Sequence, residues 1–107
     1  MTFYIYILYS ARSDRYYVGH THDLEARLQD HNHGDRPEQS KKFTFKHRPW
    51  IIVASFAVAD NRSDALRVEK FIKKQKSRAF LQKLIKAQDE QEKLAQLIRV
   101  PFHGINQ

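Results

Sequence analysis

The 107-residue sequence contains no cysteine. That excludes disulfide staples and thiolate metal sites, and it fits a reducing compartment. Long apolar runs are missing too. The stretch from Phe3 to Tyr9 is too short to cross a bilayer as a helix and lacks the basic flank of a secretory signal, and no other segment approaches membrane length. The expectation is a cytoplasmic protein without a membrane partner. Acidic residues are scarce, with 12 Asp and Glu against 19 Lys and Arg, for a net charge of +7. Such an excess favours polyanionic partners, nucleic acid ahead of an anionic lipid surface. The length leaves room for one core and not for two. No internal repeat or low-complexity segment breaks it up.

Two aromatic, β-branched runs open the chain, Phe3-Tyr4-Ile5-Tyr6-Ile7-Leu8-Tyr9 and Tyr16-Tyr17-Val18-Gly19. Both read as strands. The polar run Ser10–Arg15 between them suits a hairpin loop, which brings Tyr6 and Tyr17 close together on neighbouring strands. From His22 to His33, Leu24 and Leu28 mark one face of a helix, with Asp23 and Glu25 in the favourable first turn. Gly34 is expected to stop it, and residues 34–49, polar, basic and with two prolines, read as a loop. Trp50–Val58 is the strongest strand signal, and its near-continuous apolarity predicts a buried strand. The Asp60-Asn61-Arg62-Ser63 stretch offers caps for a second helix that buries Ala65, Leu66, Val68, Phe71 and Ile72. Ser77 can cap a third, with Phe80, Leu81, Leu84 and Ile85 on its apolar side. The class is therefore α+β with the order β-β-α-β-α-α, and helices must cover so small a sheet. The domain is expected over residues 1–86. Residues 87–107 form a C-terminal extension, partly helical or disordered, in which Pro101 and Gly104 end regular structure.

Tyr4-Ile5-Tyr6, Tyr17-Val18-Gly19 and a following helix carrying Arg27 and His31 resemble the GIY-YIG nuclease family. Tyr4 stands where the first motif ordinarily has glycine, a replacement associated with the small stand-alone branch resembling the N-terminal domain of the excinuclease C subunit. The resemblance spans roughly residues 3–85. It implies a three-stranded antiparallel sheet flanked by helices, and endonuclease activity that hydrolyses phosphodiester bonds, with DNA as the substrate and DNA repair as a setting.

Such hydrolysis needs an activated water, neutralisation of phosphate charge and help for the leaving oxygen. By resemblance the catalytic set is Tyr6, Tyr17, Arg27, His31 and Glu69. Glu69, on the helix after the third strand, is the implied ligand of a single Mg²⁺ or Mn²⁺; one carboxylate suits an ion that keeps waters and borrows phosphate oxygens. Its innocent alternative is an exposed helical pair with Lys73 four residues on. Arg27 and His31, also four apart, point the same way from their helix, and the resemblance places Arg27 on the scissile phosphate. The innocent alternatives are a solvated Arg paired with a neighbouring acid, and a His favoured near a helix C-terminus. Of the two tyrosines, one deprotonates or orients water in the family's mechanism, and sequence does not distinguish which. Tyr4, Tyr9 and Tyr16 are expected only to pack. His20-Thr21-His22 and His31-Asn32-His33 admit a histidine metal site, but such spacing arises easily by chance.

Nucleic-acid contacts are expected from Gly19 and His20 beside the site, from Lys41, Lys42, Lys46 and Arg48 in the basic loop, and from Lys73, Lys74, Lys76 and Arg78. Phosphate contacts of this kind give affinity without sequence choice; the everyday alternative for each lysine is a solvated face. Two other functions stay open beside the nuclease, a nucleic-acid-binding module with weak catalysis and a basic protein-interaction domain. A monomer is expected, with specificity low or supplied by a protein partner.

Overall fold

The computed structural model describes residues 1–33 and 46–98. Gly34, Lys41, Lys42 and the segment beyond Ile98 lie outside the described residues. Strands β1 (Phe3–Ser10), β2 (Arg15–Thr21) and β3 (Ile51–Ala59) form one antiparallel sheet in the order β2-β1-β3. Helix α1 (Leu24–His33) lies between β2 and β3, and α2 (Arg62–Lys74), α3 (Arg78–Lys86) and α4 (Gln91–Ile98) follow. The α+β class and the antiparallel sheet are as expected, with one further helix, α4, added to the expected order.

The hairpin closes because its loop satisfies itself. Ser13 N donates to Ser10 Oγ (3.2 Å), and Asp14 adopts φ 53°, a left-handed turn that Asp tolerates. Arg78, at the start of α3, donates to both Oδ1 (3.0 Å) and the backbone oxygen (2.8 Å) of Asp14, and its guanidinium stacks over Tyr16. The resulting register sets Tyr6 opposite Gly19 and Leu8 opposite Tyr17.

Alternation along the strands divides the core in two. On one face Ile5, Ile7, Val18, Ala54, Phe56 and Val58 meet Ala65, Val68 and Ile72 of α2, Leu84 of α3, and Leu94 and Ile98 of α4. On the other face Tyr6, Leu8 and Trp50 pack with Tyr17, Ile52 and the α1 residues Leu24 and Leu28. Asn32 fastens α1 to the entry of β3. Its Oδ1 accepts from Trp50 N (2.6 Å), its Nδ2 donates to Trp50 O (2.9 Å), and its own carbonyl accepts from Arg48 Nη1 (3.0 Å).

Capping follows the sequence closely. Asp23 accepts from Ala26 N ahead of α1, Asn61 from Asp64 N ahead of α2 and Ser77 from Phe80 N ahead of α3. Two expectations require correction. Leu66 is 37% exposed, because the buried stripe of α2 runs through Ala65, Val68 and Ile72 and turns Leu66 outward. The third strand is an edge strand with Ile51 59% exposed, since β1 takes the centre of the sheet. Its outer side is partly covered: Gln88 accepts from Ser55 N (3.3 Å) and donates to Val53 O (3.0 Å), bonding the edge as a neighbouring strand would.

Candidate active site

A cleft is lined by Tyr6, Tyr17, Gly19, His20, Thr21, His22, Arg27, Arg62 and Glu69. Gly19 and His20 lie on opposite faces of β2, which among the described residues has no strand on its outer side, so the cleft wraps that edge. One wall comes from β1, β2 and α1, and the other from α2.

Tyr6 is the hub of the first wall. It is 2% exposed, and its hydroxyl lies 2.9 Å from His31 Nε2 and accepts from Arg27 Nε at 3.3 Å. The phenol oxygen can accept from Arg27 and still share one hydrogen bond with His31 Nε2, whose donor is set by the His31 tautomer. Burial pushes the Tyr6 phenol well above its ordinary range; the Arg27 hydrogen bond opposes this without cancelling it. Tyr6 is therefore neutral at ordinary pH. Partial burial disfavours the Arg27 cation, but the bond to Tyr6 and the neighbouring Asp30 (3.3 Å) more than restore it, and its pKa ends up raised. His31, 2% exposed, stands behind Tyr6 and does not line the cleft. The Tyr17 ring packs on it at a centroid distance of 5.1 Å.

Glu69 supplies the second wall. Its side chain is 12% exposed, with Oε1 2.6 Å from His20 Nδ1 and Oε2 2.7 Å from Lys73 Nζ. The helical pair with Lys73 that their spacing predicts is formed, and it sits at the rim of the cleft. Arg62 Nη1 lies 3.2 Å from His20 Nε2. A guanidinium can only donate, so the fitting His20 tautomer accepts at Nε2 and gives its Nδ1 proton to Glu69. Among the described residues no three His, Asp or Glu side chains gather as a metal cage. Glu69 is the only carboxylate among the described residues that line the cleft. One hard oxygen donor beside an open cleft fits a Mg²⁺- or Mn²⁺-type ion that keeps its waters and binds substrate phosphate. It does not fit a histidine zinc cage.

The cleft thus gathers Tyr6, Tyr17, Gly19, His20, Arg27 and Glu69, with His31 behind Tyr6 and Lys73 at the rim. Arg48 is spent on the end of α1, and Arg78 on the hairpin. Lys46, Lys74 and Lys76 are exposed. Sequence reasoning missed Arg62 as a site residue, because it falls in the capping stretch before α2. It precedes Glu69 by seven residues, two helical turns, which places both on one face and was the available signal.

The sequence model of the GIY-YIG catalytic domain matches residues 2–84. The chain belongs to the GIY-YIG family, whose domains are endonucleases, and membership indicates a nuclease-type function and contact with nucleic acid. Among solved structures, the solution NMR structure of the UPF0213 protein BH0048 from Bacillus halodurans is 26% identical, with a TM-score of 0.46, over 91% of this chain and 97% of that one. No curated protein sequence matches the chain. Among the described residues no helix is long and apolar enough to cross a membrane.

Proposed function

We propose that the protein is a metal-dependent endonuclease hydrolysing phosphodiester bonds in DNA, with Tyr6, Tyr17, Arg27, His31 and Glu69 as its working set. The observation that carries this reading is the Tyr6 hydroxyl, held between Arg27 Nε at 3.3 Å and His31 Nε2 at 2.9 Å in the cleft that also contains Tyr17 and Glu69. Arg27 neutralises and orients the scissile phosphate; its planar fork can hold two oxygens. Tyr6 keeps its proton, so it acts by fixing Arg27 and His31. Orienting the attacking water then falls to Tyr17, which lines the cleft. The water oxygen bonds to phosphorus as one bridging P–O bond breaks, and the departing oxygen takes up a proton.

A Mg²⁺ or Mn²⁺ ion would be held by Glu69, phosphate and water, and when bound it supplies charge neutralisation at the phosphate. Exposed Lys46, Lys74 and Lys76 spread affinity along the backbone without reading bases, together with Lys41 and Lys42 of the basic loop. The proposed setting is a cytoplasmic monomer, with a protein partner supplying specificity.

The test is a panel of labelled single-stranded, duplex, flapped and branched DNA and RNA incubated with Mg²⁺ or Mn²⁺. Wild type should cut at least one substrate. Glu69→Gln, similar in size and uncharged, should lower the rate by at least the ~10²-fold typical of losing a key electrostatic group. Equal cutting by both proteins would reduce Glu69 to a helix partner of Lys73. Binding without cutting anywhere on the panel would favour a nucleic-acid-binding module.

A further inference from the structure

Glu69 is doubly committed in the free protein. His20 engages one carboxylate oxygen at 2.6 Å and Lys73 the other at 2.7 Å. A hard divalent ion needs one of those oxygens at close range. Once there, it faces the Lys73 ammonium across a single carboxylate that is only 12% exposed. Two cations sharing one anion repel each other, and little water lies between them to screen it. Relief of that repulsion falls on Lys73, since His20 is neutral in the tautomer that donates to Glu69. His20 is held on its other nitrogen by Arg62 at 3.2 Å. Lys73 is 46% exposed on a flexible stem, so it is the one able to leave.

Its destination is set by its surroundings. Lys73 Nζ lies 5.2 Å from the centroid of the Tyr17 ring. Beyond that ring, a second groove follows the free edge of β2 toward the turn between α2 and α3. Tyr16, Tyr17, Val18, Lys73, Lys76 and Leu81 line it, and among the described residues no carboxylate does. Two lysines without an acid favour an anion. The groove meets the cleft at Tyr17, so a strand with its scissile phosphate at Arg27 can continue into it.

We infer that Lys73 is exchanged, leaving Glu69 for a backbone phosphate in the Tyr16–Lys76 groove, so that nucleic acid and divalent ion bind with positive coupling. The inference rests on the nuclease reading and on Glu69 as the metal ligand. Lys73 is a positioning residue here. It pairs with the carboxylate when no ion is bound, and in the complex it holds the strand. Linkage is reciprocal, so the ion strengthens nucleic-acid binding by the factor by which nucleic acid strengthens ion binding.

The test needs no turnover. Mn²⁺ is titrated by electron paramagnetic resonance into DNA-free wild type, Lys73→Met, Lys73→Arg and Glu69→Gln. Lys73→Met should bind Mn²⁺ roughly 5-fold or more tightly than wild type, the lower end of ordinary coupling. Lys73→Arg, which keeps the charge, should behave like wild type, and Glu69→Gln should lose the site. In parallel, affinity for a short labelled DNA duplex is measured by fluorescence anisotropy in EDTA and in Ca²⁺. Ca²⁺ should strengthen wild-type binding about 5-fold more than it strengthens Lys73→Met. Unchanged Mn²⁺ affinity in Lys73→Met, or equal Ca²⁺ enhancement in both proteins, overturns the exchange while leaving the nuclease reading intact. Undiminished Mn²⁺ binding by Glu69→Gln overturns the metal ligand itself, and the exchange with it.

Discussion

Gly19 stands directly across the β1–β2 ladder from Tyr6, and the Tyr6 phenol lies over the space where a Cβ would project. A Cβ there would collide with the ring and its hydroxyl. The glycine at the end of the second motif is thus explained by close approach: it admits the phenol that holds Arg27 and His31.

Gly19→Ala should therefore act through Tyr6. Overpacking of this kind costs about 1–3 kcal/mol, and the phenol must leave its place between Arg27 and His31. Thermal denaturation should report the first effect and the cleavage assay the second. A Gly19→Ala protein with wild-type Tm and wild-type rate would mean that the phenol accommodates a methyl group without moving.

Tyr6→Phe keeps the ring and removes the hydroxyl. At neutral pH, leaving His31 Nε2 without its phenol partner should cost about 1–3 kcal/mol. The effect on pH dependence has a definite sign. The folded Tyr6 pKa lies above the ordinary 10.0, so the folded state keeps a proton that the unfolded chain releases. That contribution is fully present below about pH 10 and declines as pH rises above it. Wild-type Tm should fall more steeply between about pH 10 and 11.5 than that of Tyr6→Phe, which scanning calorimetry can measure. Parallel curves would mean the phenol ionises as freely folded as unfolded.

Asn32→Ala removes the side-chain amide that bonds both backbone groups of Trp50. Trp50 N and Trp50 O each lose that hydrogen bond, at about 1–3 kcal/mol each if no water replaces the amide. Because α1 carries Arg27 and His31, cleavage should decline along with Tm. Asn32→Asp, which retains an acceptor for Trp50 N, should lose less stability. If the Ala and Asp variants melt together with wild type, the Asn32 bracket does not hold α1 in place.

Nucleic-acid affinity should fall steeply between low and physiological salt. Removing Lys74 or Lys76, both exposed, should reduce the slope of log K against log salt by about 1 for each phosphate left unneutralised. Arg48→Ala and Arg78→Ala should instead show mainly in Tm, since those guanidiniums are engaged with Asn32 and Asp14. Salt-independent binding would favour a protein partner over nucleic acid.

The sequence made local features legible. A short polar loop between two aromatic strands fixed the hairpin, and Asn61 and Ser77 announced their helices because capping is a local contact. The expected nearness of Tyr6 and Tyr17 is found, their ring centroids 6.3 Å apart, although Gly19 and not Tyr17 stands directly across from Tyr6. What escaped depends on distant segments meeting. Glu69 and His20 are 49 positions apart, and nothing in either stretch reveals their contact. Leu66 looked as buried as Ala65 because composition alone does not say which side of α2 faces the sheet. From sequence α4 reads only as part of a partly helical or disordered extension, since Leu94 and Ile98 acquire a core to enter only when α2 and β3 are in place.

The Gln88 amide also bears on how copies of this chain can meet. On the β3 side, a visiting strand would have to evict Gln88 from Val53 and Ser55 before it could pair there. On the β2 side, among the described residues, the open margin is the one along which the cleft and the Tyr16–Lys76 groove lie. Joining sheets edge to edge would therefore either break a formed amide bridge or stopper the working face, and a β2-to-β2 dimer of this protein would be an inactive one.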